Sequence, residues 1–238
     1  MHSENGHRTS RRLAWHVALA FAAVAVLPGA AAAQTSGGRF DVSISGLWNG
    51  GYALDARSAT ETRNQVGGGD FVLFETDSEV TGGAGLEARF GVRLGSTFSV
   101  EAGGSWTRAS MRTRVSGDFE STPALDVRAD FTQYVIDGAV VARLERLAMG
   151  GGRVVPFVEA GAGYLRQLHE GNFMVETGVV VHGGGGVLVW LRSRPGGWFD
   201  RIGLRVDARV TSRTGGIDVT DDRRRVFPAL AAGLALGF

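Results

Sequence analysis

Two histidines, His169 and His182, are the residues beyond position 34 whose side chains suit general acid–base chemistry near neutral pH. His182 opens a His-Gly-Gly-Gly run of the kind that forms the oxyanion-binding loop of serine hydrolases. That loop works with a Gly-x-Ser-x-Gly nucleophile elbow, which the sequence lacks. We therefore interpret the glycines as residues that allow close backbone approach within a β-strand.

Charged residues near the C-terminus could bind ions. Asp218, Asp221 and Asp222 offer carboxylates, but their spacing lacks the pattern of an EF-hand loop. The arginines at 223–225 follow directly and would oppose a cation. Arginine forks suit phosphate groups, so this triplet is either a phosphate clamp or part of a solvated loop. The sequence thus predicts no catalytic residue, no cofactor and no metal site.

The N-terminus has the three parts of a secretory signal peptide. Arginines precede an apolar run over residues 13–27, and an alanine-rich stretch ends at Ala33. The run is shorter than the ~20 residues of a membrane-spanning helix, so a retained anchor is the weaker alternative. We expect cleavage after about Ala33, which gives a signal peptide at 1–33 and one mature domain at 34–238.

The composition limits the classes of function. The chain has 238 residues, a formal net charge of +1 and no cysteine. A near-neutral balance gives no basic field for nucleic acid, and a chain without cysteine has neither disulfides nor thiol chemistry. After the N-terminal run no apolar stretch approaches ~20 residues, so any membrane span must be a β-strand.

Apolar and polar residues alternate with a period of two from Phe40 onward, which predicts β-strands. In residues 201–210 apolar side chains at even positions alternate with mostly charged ones at odd positions. Comparable segments bring the count of strands to eight. They lie near residues 40–49, 80–94, 98–107, 132–145, 153–166, 177–191, 201–210 and 226–238.

The connections between these segments alternate in length. Short turns are expected near 95–97, 147–152 and 193–198, and longer polar loops near 53–77, 114–123, 167–176 and 213–224. This asymmetry is typical of a transmembrane β-barrel. A barrel in lipid must close, because an unpaired backbone amide is costly in hydrocarbon. We predict an all-β, closed, antiparallel up-and-down transmembrane barrel of eight strands, with both termini on the short-turn side.

The polar faces of the strands carry five acidic and five basic residues. The lumen of an eight-stranded barrel is just wide enough for side chains to fill, and an unpaired charge there is costly. We expect a paired network that fills the lumen; a soluble barrel with solvated charges is the alternative. The ten residues are Glu87, Arg89, Arg93, Glu101, Asp137, Arg143, Glu159, Arg205, Asp207 and Arg209.

The last strand resembles the C-terminal insertion signal of outer-membrane β-barrels. It has Gly233, then two spacers, the apolar Leu236, one spacer and the aromatic Phe238. Apolar residues occupy every second position back to Leu230. Ala231 stands where the signal usually has a polar residue, so the match is partial.

Two further segments support the same resemblance. Residues 156–164 resemble the Pro-aromatic…Gly-x-Gly-aromatic fifth strand of small outer-membrane barrels, and residues 204–209 resemble their penultimate strand. The mature chain thus resembles the family that includes the OmpA membrane domain, OmpX and OmpW. This implies a monomer in the outer membrane of a Gram-negative bacterium, in contact with lipid and lipopolysaccharide and assembled by periplasmic chaperones and the barrel-assembly machinery. It implies no nucleic-acid partner.

Four tryptophans fall near predicted strand ends or a turn, where an amphipathic ring suits the membrane–water interface. Ordinary core packing is the alternative for each of them. They are Trp48, Trp106, Trp190 and Trp198.

The leading expectation for function is a non-enzymatic barrel with a structural or surface-interaction role. The alternatives are a narrow channel for small or hydrophobic molecules and, in third place, an enzyme that modifies lipid A. Lipid A deacylases have a serine two residues after their histidine. His169 and His182 both lack it.

Overall fold

The structure is a computed structural model that describes residues 39–62, 69–117, 123–169, 175–193, 198–217 and 223–238. Several sequence predictions concern residues outside these ranges. They are the signal peptide at 1–33 with its cleavage site at Ala33, and the three aspartates Asp218, Asp221 and Asp222.

Ten β-strands and one short 3₁₀ turn make up the described chain. The 3₁₀ turn is Glu145–Leu147. The strands are β1 (Phe40–Asn49), β2 (Tyr52–Thr62), β3 (Asp70–Val80), β4 (Gly83–Arg93), β5 (Phe98–Ser116), β6 (Leu125–Arg143), β7 (Val154–His169), β8 (Val175–Ser193), β9 (Arg201–Gly215) and β10 (Arg225–Gly237).

Eight of these strands form a closed antiparallel ring. From β1 the pairing passes to β4 and then in chain order through β5 to β10, and β10 pairs with β1 again. The closing pair runs from Asp41 opposite Gly237 to Asn49 opposite Ala229. The predicted eight-stranded up-and-down barrel is confirmed. No helix in the described ranges is long and apolar enough to cross a membrane.

The remaining two strands, β2 and β3, form a hairpin that continues β1 and β4 past short breaks at 50–51 and 81–82. β3 pairs with the far half of β5, where Val80 lies opposite Met111. The prediction of a loop at 53–77 is therefore wrong. Polar residues occupy both faces of this hairpin, so no apolar alternation marked it as strand.

Buried and exposed side chains alternate along each strand. The pattern is the inverse of that in a soluble barrel, because apolar side chains face outward and charged side chains face the lumen. On β6 the side chain of Ile136 faces outward and is 71% exposed, whereas its neighbour Asp137 faces the lumen and is buried. On β9, Val206 is exposed and Arg205 is only 4% exposed. An apolar exterior around a charged interior is the arrangement that a lipid bilayer requires.

The two ends of the barrel differ. The "turn end" holds the connections at 94–97 and 144–153 and the meeting point of Phe40 with Phe238, whose backbones exchange hydrogen bonds of 3.2 and 2.8 Å. The "loop end" holds the β2–β3 hairpin and the longer connections. Both ends of the described barrel chain therefore lie at the turn end, as expected for an even number of strands.

Candidate functional site: the charged lumen

Arg205 lies at the centre of the lumen and contacts three carboxylates. Its guanidinium nitrogens are 2.8 Å from Glu101, 2.7 Å from Glu159 and 3.2 Å from Asp207. All four side chains are buried. Because the carboxylates come from β5, β7 and β9, this one arginine joins distant parts of the barrel wall.

Two further arginines extend the cluster towards the loop end. Arg89 is 2.8 Å from Glu87 and 3.1 Å from Asp137. Arg209 is 2.8 Å from Glu87 and 2.9 Å from its near neighbour Asp207. Arg89, Arg205 and Arg209 together face five carboxylates. Each of these three arginines contacts at least two of the carboxylates. The sequence predicted all eight of these central side chains as lumen residues.

Arg93 and Arg143, the other two arginines of the predicted network, lie apart from this cluster. Both bind Asp41, at the turn end: Arg93 at 2.6 Å, and Arg143 through a short ion pair. Asp41 was not among the predicted residues, although it has the lumen phase of β1. It forms the centre of a second, smaller charged layer.

Trp190 belongs to the same end of the lumen, and its assignment to the membrane interface is wrong. The side chain is 6% exposed and packs with Val141, Phe157 and Leu188 inside the barrel. Its phase on β8 is that of buried Leu188, so its ring faces inward in spite of its place near a strand end. The guanidinium of Arg201 lies 4.8 Å from the ring centre.

The other three tryptophans face outward. Trp48 and Trp106 lie on the lipid-facing phase of β1 and β5, and Trp198 is 96% exposed beside β9. Their positions fit the interface role proposed from the sequence, with Trp48 and Trp106 nearer the loop end.

A third polar layer closes the lumen near the loop end. Gln167 accepts hydrogen bonds from the buried Arg213 at 3.1 Å and from the backbone amide of Ile217 at 2.7 Å, and it donates to Gln133 at 2.9 Å. Above this layer an apolar cap is formed by Leu54, Val80, Phe131 and Ile217. The cap and its polar support were not predicted, because they join residues from β2 and from the segment after β9.

Inward-facing glycines lie opposite the charged residues on neighbouring strands. Gly103 pairs with both Arg89 and Asp137, and Gly184 pairs with both Glu159 and Arg209. Gly91, Gly186 and Gly233 likewise lie opposite Glu101, Asp207 and Arg205. A β-carbon at Gly103 would collide with the Asp137 carboxylate. The glycines thus provide the space into which the long charged side chains fold.

His182 completes the central cluster. Its Nε2 atom is 2.8 Å from Asp137, and the ring is buried. The following glycines of the His-Gly-Gly-Gly run alternate between lipid and lumen, and a β-carbon at Gly161 would overlap the His182 ring. The run therefore serves packing in this barrel, as the sequence interpretation expected.

The other sequence candidates lie at or beyond the loop end. His169 is 3.7 Å from Glu176 and has an aromatic neighbour in Phe131. Arg223 and Arg225 are 3.1 and 2.9 Å from Asp55, so two members of the arginine triplet tie β10 to the β2–β3 hairpin. Arg224 is exposed.

The residues of the proposed insertion signal lie where β10 closes the ring. Leu236 and Phe238 face the lipid side, and Gly233 lies opposite Ser45 of β1. A β-carbon at Gly233 would clash with the backbone of Ser45. Gly233 therefore has a packing role at the closing pair in addition to any role in the signal.

Little space remains between the charged layers. A cavity of about 10 Å³ lies between the turn-end layer and Arg205, and one of about 40 Å³ lies between the central cluster and the cap. The first has room for about one water molecule and the second for few more. The described side chains therefore leave little space at these two places in the lumen.

No protein-family model matches the sequence, and no curated protein is significantly similar to it. Solved structures do match the fold. The outer membrane protein OprG from Pseudomonas aeruginosa has a TM-score of 0.52 and 14% identity over 85% of this chain and 96% of its own. Neisserial surface protein A has a TM-score of 0.50 and 13% identity over 84% and 97%. An inverted, closed eight-stranded ring and these neighbours together show that the chain has the fold of the small outer-membrane β-barrel proteins.

Proposed function

We propose that the protein is a non-conducting, non-enzymatic outer-membrane barrel with a structural or surface-interaction role, in which the loop end presents the interacting surface. The observation that carries this proposal is the three-layered filling of the lumen. Asp41 with its two arginines, the cluster around Arg205 and the layer around Gln167 each span the interior.

Rigidity follows from the way the layers are joined. Arg205 binds carboxylates of three strands, and removing either partner of such a pair leaves a buried charge uncompensated. Conduction would need several of these contacts to break at once. The lumen is therefore better suited to hold the wall in shape than to pass a solute.

The β2–β3 hairpin forms part of the surface at the loop end. It stands on a rigid base, since Arg225 donates to the Leu54 carbonyl and pairs with Asp55. Tyr52 stacks on Phe227 with ring centres 5.2 Å apart. These contacts hold the hairpin in one orientation relative to β10, which favours a role in binding at the cell surface.

A second candidate, a channel for small or hydrophobic molecules, is favoured by the same region. Backbone pairing between the first and last strands ends where the Gly50 amide donates to the Pro228 carbonyl at 2.7 Å. Beyond that point the contacts that the structure describes across the seam between β2 and β10 involve side chains: Tyr52 stacks on Phe227, and Arg225 binds Asp55 and the Leu54 carbonyl. A route through the wall would bypass the filled lumen.

Conductance in planar bilayers and solute uptake by liposomes test the two candidates together. We expect purified wild-type protein to give no stable single-channel steps and no uptake of a small dye that cannot cross a lipid bilayer unaided. The Asp55→Ala variant, which removes the seam ion pairs, should behave in the same way. Stable steps from wild-type protein would contradict the filled lumen. Dye uptake that increases in Asp55→Ala without conductance would instead support the route through the wall.

A further inference from the structure

The outer wall of the barrel carries two arginines at the edge of its apolar band. Arg108 on β5 and Arg166 on β7 both face outward and are exposed. Within the described part of the chain neither forms an ion pair; Arg108 only stacks over Trp106, with its guanidinium carbon 5.2 Å from the ring centre. Cations left without a carboxylate partner next to lipid are available to an anionic ligand.

Strand register places these arginines in two adjacent rows of the sheet. Arg166 lies opposite Tyr134, which lies opposite Trp106, so the three side chains form one row across β7, β6 and β5. Aromatic rings at such a row mark the membrane–water interface. Arg108 stands one row further towards the loop end.

The neighbouring row towards the turn end is apolar or aromatic, whereas the rows towards the loop end are charged. Towards the turn end the next outward residues are Ile136 and Tyr164, both exposed as lipid-facing side chains are. Towards the loop end the outward arginines are already paired: Arg112 with Asp126 at 3.1 Å, and Arg128 with Asp130 at 3.5 Å. Arg108 and Arg166 thus lie where acyl chains end and head groups begin.

A groove of about 530 Å³ opens beside Arg108, and it includes Leu168, two positions from Arg166 on β7. Its outward-facing lining includes Arg108, Ser110, Thr132 and Leu168. This volume falls in the range of small-molecule sites, and the lining combines Arg108, hydroxyls and an apolar side chain with the Arg128–Asp130 ion pair. The outward faces of β8, β9 and β10 carry no arginine at this level among the described residues, so the basic patch is confined to one side of the barrel.

We propose that Arg108 and Arg166 form a binding site for the phosphate groups of an acylated, phosphorylated saccharide in the outer leaflet, the lipid anchor of lipopolysaccharide. Arginine binds phosphate bidentately and more strongly than it binds neutral acceptors. The aromatic row and Ile136 below it accommodate acyl chains, and the groove accommodates the sugar. The site is on the outer wall and is independent of whether the lumen conducts.

Native mass spectrometry of the detergent-refolded protein, titrated with bisphosphorylated lipid A, tests the site. We expect the Arg108→Gln/Arg166→Gln variant to bind about ten-fold more weakly than wild-type protein, a loss equivalent to the removal of charge-assisted hydrogen bonds. Lipid A from which both phosphates have been removed should bind wild-type protein about as weakly.

The matched control is Arg112→Gln/Arg114→Gln. It removes the same charge from outward positions of β5 but further from the apolar band, and it should bind lipid A within about two-fold of wild-type protein. Equal losses in both double variants would show a diffuse charge effect and overturn the site. Tight binding of dephosphorylated lipid A would show recognition of acyl chains alone and also overturn it.

Two further arms complete the test. Inorganic phosphate alone should give no bound adduct at the lipid concentration; an adduct that disappears in Arg108→Gln/Arg166→Gln would assign the site to free phosphate instead. Folding is checked by heat-modifiable mobility. If the double variant fails to fold, the single variant Arg166→Gln is measured, and unchanged affinity in it would count against the proposal.

Discussion

Individual arginines of the lumen each contact several carboxylates, and this sets how costly their loss is. Arg205 faces Glu101, Glu159 and Asp207 in a space without bulk water. In such a cluster the mutual attraction offsets the desolvation of each charge only while every partner is present. The energetic consequence of a substitution therefore depends on what it leaves behind.

We expect Arg205→Ala to destabilise the barrel by about 3–5 kcal/mol, because it leaves three buried carboxylates without their common partner. Arg224→Ala is the matched control, since that arginine is exposed at the loop end and its loss should leave the stability unchanged. Urea titration of protein refolded in liposomes, followed by tryptophan fluorescence, measures both. Equal midpoints for the two variants would contradict the buried role of Arg205.

Phase along a strand was enough to predict most of the lumen residues, because each of them alternates with lipid-facing apolar residues. Trp190 was misassigned because nearness to a strand end was given more weight than phase. Asp41 was left out although it has the lumen phase, and Arg213 lies in a stretch that the sequence assigned to a loop. The partners of each charge could not be predicted, since they lie on strands far apart in the sequence.

At the scale of the elements, the glycines of β5, β8 and β10 decide whether two strands can carry large side chains side by side. Gly184 on β8 lies opposite Glu159 on one side and Arg209 on the other. A β-carbon there would come within 2.8 Å of the Arg209 α-carbon, which is backbone and cannot move aside cheaply. Gly183, one position away, faces lipid, and a β-carbon there would make only an ordinary van der Waals contact.

We therefore expect Gly184→Ala to destabilise the barrel by about 1–3 kcal/mol through overpacking. Gly183→Ala adds the same methyl group to the same strand but should have little effect, because its nearest atom, the Glu159 carbonyl oxygen, is 3.8 Å away. Thermal unfolding in detergent, followed by circular dichroism, compares the two. A loss of stability in Gly183→Ala as large as in Gly184→Ala would refute the packing argument.

The number of strands in the ring was predictable from alternation, but the lengths of the strands and the presence of β2 and β3 were not. β2 and β3 carry polar residues on both faces because the hairpin extends past the apolar band. Alternation of apolar and polar residues identifies only the part of a strand that has one face in contact with lipid. The same reasoning explains why the predicted segments 98–107 and 132–145 do not reach the loop-end halves of β5 and β6, and why residues 114–116 of β5 fell within a predicted loop.

At the scale of the whole molecule, closure depends on β10. Every second residue of β10 faces outward, up to Phe238 just after the strand. The Phe238 amide donates to the Phe40 carbonyl at 2.8 Å. We propose that Gly233, Leu236 and Phe238 are the residues through which the barrel-assembly machinery recognises the chain. Their geometry supports this, since the outward faces of Leu236 and Phe238 remain accessible at the turn end.

We expect Phe238→Asp to impair assembly in cells while leaving export intact, because recognition of the last strand is lost. Phe238→Tyr keeps an aromatic ring and should assemble normally. Heat-modifiable mobility of outer-membrane fractions gives the folded share of each variant. The purified Phe238→Asp protein should still refold in detergent without the machinery. A normal mobility shift for this variant in cells would contradict the role of the signal.

The closing pair also bears on the order in which the barrel folds. Asp41 and Gly237 meet across almost the whole chain, whereas the other pairs in the ring are consecutive strands or, for β1 and β4, strands with only the β2–β3 hairpin between them. Local hairpins can form early, but contacts between distant residues form late because the intervening chain must first be organised. Until then β1 and β10 are the two open edges of a curved sheet with one apolar face, which makes the intermediate prone to edge-to-edge association. We therefore expect the meeting of β1 and β10 to be the slowest step in the folding of the barrel.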